Sequence, residues 1–141
     1  MEFDSNIFGY TKYINDQNVK YFVNCETFKI YNCSKITDEG VKYLTNCKFL
    51  DLTCCKLLTD KSIKCLVNCK ELNVQSCNLI TDESLKYLQN CERLNISECY
   101  NITDDDVKYL RKCVCLDISG CTEISDKMIT HLSTTVKYLR W

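Results

Sequence analysis

Residues 90–104 read NCERLNISECYNITD. Between Cys91 and Cys99, Leu94 and Ile96 alternate with Arg93, Asn95 and Ser97, the period-two pattern of a short strand with one buried face. The chain holds 13 cysteines in 141 residues, a density associated with small disulfide-stapled or metal-bound domains. Whether these thiols are chemistry or core decides how everything around them is read.

Outward from that stretch, the same pattern returns every 22 residues. Cys25, Cys47, Cys69, Cys91 and Cys113 form one column, and Cys33, Cys55, Cys77, Cys99 and Cys121 a second, eight places later. Residues 3–24 keep the frame without its cysteines, and residues 135–141, TVKYLRW, begin a further unit. This predicts a single domain over 1–141, with six repeats spanning 3–134 and a partial one over 135–141. Counting each unit from its first cysteine, positions 4 and 6 are the apolar strand residues. Positions 17 and 20 (Leu85 and Leu88, Val107 and Leu110) share one face of a short helix. Asp16, Asp38, Asp60, Asp82, Asp104 and Asp126 recur at each helix start, mostly after a threonine, where Thr or Asp accepts bonds from the first free amides. Asn24, Asn46, Asn68 and Asn90 close the helices as residues that tolerate a left-handed C-cap. A strand-turn-helix-turn unit this small cannot bury its apolar face alone, so the units must stack.

The motif C-x2-L-x-I-x2-C-x2-ITD, followed by L-x2-L, resembles the cysteine-containing leucine-rich repeat over essentially the whole chain, in units a few residues shorter than is usual for the family. The resemblance implies an α/β leucine-rich-repeat solenoid, with a parallel sheet on the concave face and short helices on the convex face. Proteins with similar repeats are often substrate receptors of ubiquitin ligases that carry an F-box ahead of the repeats. Only two residues precede the first repeat, so a receptor role is expected to work in trans, with the adaptor on the repeats or on a separate chain.

In that frame the cysteines read as core. Cys91 and Cys99 flank a strand and are too far apart to bond, while thiols within a column run parallel, which disulfide geometry disfavours. Only Cys65 and Cys69 have tight ligand-like spacing, and the single histidine, His131, is remote and reads as a surface helix residue. Free cysteine is small and often buried, and suits a narrow column. Cys54, Cys65 and Cys115 fall outside the columns, and Cys54 and Cys115 are expected to face solvent on the sheet. No metal, cofactor or catalytic residue is expected: the chain has no phosphate-binding loop, dinucleotide fingerprint, nucleophile elbow or zinc-protease motif. A net charge of −1 gives no global attraction to nucleic acid or to an acidic membrane. The N-terminus does not read as a signal peptide and no apolar run is long enough to span a bilayer, so the expected setting is a reducing one, cytoplasmic or nuclear.

Positions 3, 5, 7 and 8 should point out of the sheet, and their residues change from repeat to repeat. Aromatic and arginine anchors beside polar groups mark binding hot spots. The candidate partner-binding residues are therefore Lys29, Tyr31, Phe49, Asp51, Glu71, Asn73, Arg93 and Asn95, and the expected ligand is a protein. Two alternatives compete with this. One is nucleic acid on a convex ladder of Lys20, Lys42, Lys64, Lys86 and Lys108 beside Tyr21, Tyr43, Tyr87 and Tyr109, a field that acids at the helix starts weaken. The other is a stand-alone scaffold without an evolved ligand. Leu139 and Trp141 enter the frame if one residue is inserted, and an uncovered last strand there predicts a homodimer or a partner at that edge.

Overall fold

The structure is a computed structural model and describes residues 12–141. Ser5, Asn6, Ile7 and Gly9, which the sequence assigns to the strand of the first repeat, lie outside the described residues. Six short strands follow in chain order: β1 (Thr27–Lys29), β2 (Phe49–Asp51), β3 (Glu71–Asn73), β4 (Arg93–Asn95), β5 (Cys115–Asp117) and β6 (Tyr138–Arg140). They form one parallel sheet in that same order. Phe28, Leu50, Leu72, Leu94 and Leu116 stand opposite one another, so each repeat sits directly on the one before. The last step is one residue longer: Tyr138 pairs with Cys115 and Leu139 with Leu116, after the helix Asp126–Ser133.

Stacking gives every apolar column its burial. The strand columns Phe28 to Leu116 and Ile30, Leu52, Val74, Ile96 and Ile118 are buried, as are the helix columns running from Val41 to Val107 and from Leu44 to Leu132. Burying one such side chain contributes about 1.5–3 kcal/mol, and it is the neighbouring repeats that exclude the water. The helices are shorter and tighter than the period alone suggests. Asp38–Val41 and Asp60–Cys65 are α-helical, whereas Val19–Phe22, Asp82–Leu88 and Val107–Lys112 are 3-10 turns.

Nine of the ten column cysteines are buried, and Cys25, at the start of its column, is half-buried. Their thiols do more than fill space. Cys47, Cys91 and Cys113 donate to the carbonyls of Cys25, Lys70 and Cys91 in the preceding repeat, at 3.1, 3.4 and 3.2 Å. In the second column Cys77, Cys99 and Cys121 donate to Leu52, Val74 and Ile96 at 3.4, 3.3 and 3.2 Å. Burial pushes these thiols up, Cys69 and Cys113 to about 12 and Cys91 to about 11, so they stay protonated and able to donate.

Three local expectations need correction. Asn24, Asn46, Asn68 and Asn90 are not left-handed; the left-handed column is position 8, with Asn32, Cys54 and Ser76 at φ of 52–58°, Glu98 at 58° and Gly120 at 75°. The strand leaves the sheet there, so the backbone reversal falls before the helix instead of after it. Cys54 therefore sits at a turn and not on the sheet face. The aspartates also act differently from simple caps. The threonine caps its own helix, with Thr37, Thr59 and Thr81 accepting from Glu39, Lys61 and Glu83 amides. The aspartate reaches the next repeat: Asp16, Asp38, Asp60 and Asp82 each accept from the amide (2.8–2.9 Å) and hydroxyl (2.7–2.8 Å) of Thr37, Thr59, Thr81 and Thr103. Asp104 does the same with Ser125. One further bond fits around this row, Ser62 donating to Asp38; at the equivalent place Gly40 leaves room for the Asp16 carboxylate, which a Cβ would strike.

Candidate protein-binding groove

Position 3 and position 5 of each strand flank the buried middle residue and point to the opposite face of the sheet. Across the six strands they line a groove of about 680 Å³. Seven of the eight candidate residues lie in its wall: Lys29, Phe49, Asp51, Glu71, Asn73, Arg93 and Asn95. Tyr31 does not line it. It sits just beyond β1 beside Asp51, and burial, with the carboxylate of Asp51 next to it, raises its phenol above the ordinary value.

The position 5 side chains hold the strand ends. Asp51 Oδ1 accepts from the Thr53 amide at 3.0 Å and its hydroxyl at 2.7 Å. Asn73 accepts from the Gln75 amide at 3.1 Å, Asn95 from the Ser97 amide at 2.9 Å and hydroxyl at 2.7 Å, and Asp117 from the Ser119 amide at 3.0 Å. One oxygen of each residue is thereby engaged in the turn, and the second polar atom lies on the groove side, where that of Asp117 meets Arg140 at 3.5 Å. Asn73 Nδ2 lies 3.3 Å from Asp51 Oδ2, which links neighbouring strands. In the position 3 row, Glu71 and Arg93 pair across β3 and β4 at 3.4 Å, both side chains about half exposed. An exposed pair of this kind adds little stability.

Besides the mid-strand leucines that floor the groove, five of its residues were not among the sequence candidates: Cys115, Asp117, Lys137, Tyr138 and Arg140. Cys115 and Asp117 occupy the same two positions one strand further on, so the repeat frame itself could have found them. Tyr138 and Arg140 take positions 3 and 5 of β6 in the longer register, the one-residue insertion that also brings Leu139 into the frame. Arg140 there meets Asp117 at 3.5 Å, and Tyr138 is 58% exposed.

On the opposite face the lysine–tyrosine ladder is largely paired with itself. Lys20, Lys86 and Lys108 lie 5.2–5.5 Å from the ring centres of Tyr21, Tyr87 and Tyr109. Lys42, Lys86 and Lys108 also pair with Glu39, Glu83 and Asp106 on their own helices. Among the described residues no helix is long and apolar enough to cross a membrane.

Two segments, residues 46–67 and 70–88, match the family described as Leucine Rich repeat. No curated protein matches the chain. Among solved structures, it is similar to a chain in the crystal structure of the Rad7 and Elc1 complex in yeast, at 17% identity over 81% of its length, with a TM-score of 0.64. It spans 35% of that chain, about a third, and the likeness is one of fold.

Proposed function

We propose that this leucine-rich-repeat chain is an interaction module that takes a protein partner into the groove of its sheet. One observation supports this above the rest: the groove is lined by positions that change from strand to strand, while the columns beneath them stay apolar or cysteine. A surface kept only for folding would have no use for Phe49, Glu71, Arg93 and Tyr138 in successive or nearby places of one row. The solved neighbour comes from the complex of Rad7 and Elc1, which agrees with a role in protein contacts. The convex ladder is a weaker candidate, because its acids and rings already occupy four of its five lysines.

A finer reading follows from the resemblance of the repeats: recognition of a substrate for a ubiquitin ligase, in trans. Thiols that serve as hydrogen-bond donors suit a reducing compartment, cytoplasmic or nuclear. The outer edge of β6 is a second contact surface, on which a further copy could pair.

The test is affinity capture from lysate at physiological salt, comparing the natural chain with a folded Phe49→Ala, Arg93→Ala variant. A protein held by the first and lost from the second supports the groove. Equal capture by both removes it, and capture abolished by nuclease moves the function to the lysine ladder.

A further inference from the structure

The charges of the groove are divided along its length. The β1–β3 half carries Lys29 against Asp51 and Glu71, a net −1, whereas the β4–β6 half carries Arg93, Lys137 and Arg140 against Asp117, a net +2. Both arginines are open to solvent, their side chains 60% and 79% exposed, and each has one carboxylate neighbour at 3.4–3.5 Å. The two halves meet at Asn73 and Asn95. Oδ1 of each accepts from a backbone amide two residues on, so Nδ2 is the donor on the groove side; that of Asn73 gives one hydrogen to Asp51 Oδ2 and keeps its second, and that of Asn95 keeps both. Phe49 on β2 and Tyr138 on β6 are the two aromatic residues of the position 3 row, four strands apart.

From this, and resting on the groove being the binding surface, we infer that its occupant is an extended peptide segment of divided charge. The segment crosses the strands with its acidic end over β4–β6 and its basic end over β2–β3. Four strand spacings of about 4.8 Å separate Phe49 from Tyr138, a reach of about 19 Å, which about six extended residues cover at roughly 3.3 Å each. The aromatic rings take an apolar side chain at either end of that span, and the central amides donate to carbonyls of the segment. A uniform polyanion such as single-stranded nucleic acid matches only half of the groove, since Asp51 and Glu71 repel its continuation. A peptide can change charge from one residue to the next, and so match both halves.

Fluorescence anisotropy with defined probes tests this on the full chain. The probes are seven-residue peptides of sequence Leu-Lys-Lys-Ser-Glu-Glu-Leu, made in both chain directions, so that the leucines stand six residues apart with the charges between them. The controls are a peptide of the same composition with alternating charges and an eight-residue oligothymidylate. At least one divided peptide should bind tenfold or more tightly than the alternating one and lose tenfold or more on Arg93→Glu, Arg140→Glu. It should weaken as salt rises. If circular dichroism shows that variant unfolded, Arg140→Gln alone carries the test, with a smaller loss expected. Equal binding of the alternating peptide, tighter binding of the oligothymidylate, or insensitivity to the arginines overturns the inference. If no peptide binds while Phe49→Ala, Arg93→Ala still releases a captured protein, the divided-charge inference fails and the groove itself stands.

Discussion

Two polar rows cross the repeats, and they use their hydrogen bonds differently. Along the loop edge, an aspartate of each repeat takes both the amide and the hydroxyl of a threonine or serine in the next, with the same geometry from Asp16 to Asp104. Along the sheet, position 5 runs Lys29, Asp51, Asn73, Asn95, Asp117 and Arg140, and where an Asx residue occurs it gives one oxygen to its own turn. The first row is uniform and fully engaged, so it joins repeats. The second is uneven and less tightly engaged: one atom closes a turn, and the other lies on the groove side, in long contacts of 3.3 and 3.5 Å where Asn73 meets Asp51 and Arg140 meets Asp117. Position 3 goes further, with side chains held by little besides an exposed ion pair. Polar residues in a solenoid can thus be ranked by how many of their bonds the fold already uses.

The sharpest way to break the repeating side is to ionise the thiol columns. Burial raises Cys47, Cys55, Cys69, Cys91, Cys99 and Cys113 from 9.0 to about 11–12, so the stability tied to these neutral thiols is fully present below pH 9 and is lost as pH rises from 9 toward 12. Urea midpoints in reductant should fall steeply across that window. Replacing Cys69, Cys77 and Cys91 by alanine should flatten the fall while lowering stability at pH 7.

Next in size is the aspartate row. Asp60→Ala leaves the Thr81 amide and hydroxyl without acceptors and should cost about 2–3 kcal/mol in urea denaturation. The same row gives an acid limb. For Asp38 burial favours the neutral form, but the bonds from Ser62 and Thr59 outweigh it and lower its value below 3.8. Its contribution is present above that pH and disappears as pH falls through the lowered value, and Ser62→Ala should weaken the dependence.

Asn73→Ala removes one turn acceptor from the Gln75 amide and should cost about 1 kcal/mol. Arg93→Ala should change stability by no more than about 0.5 kcal/mol while abolishing partner capture. A loss for Arg93→Ala as large as that for Asp60→Ala, measured in the same denaturation series, would erase the distinction between the two rows.

Much of this was legible in the sequence. The period places Leu94 and Ile96 in the core, stacks Cys91 on Cys69 and sets Arg93 and Asn95 on the open face, because a column repeated without change must meet the same neighbours each time. Most of the candidate groove followed from that frame. What the period could not supply was the direction of short polar side chains. Asp60 looks like a cap for its own helix until the backbone of the next repeat brings the Thr81 amide within 2.8 Å. The left-handed turn at Glu98, the tight 3-10 turns and the place of Tyr138 opposite Cys115 depend likewise on where a neighbouring chain segment lies. Sequence determined which residues stack, through hydrophobic periodicity. Only the tertiary structure decided which polar atoms the stacking consumes, because a hydrogen bond is fixed by distances of a few tenths of an ångström between repeats.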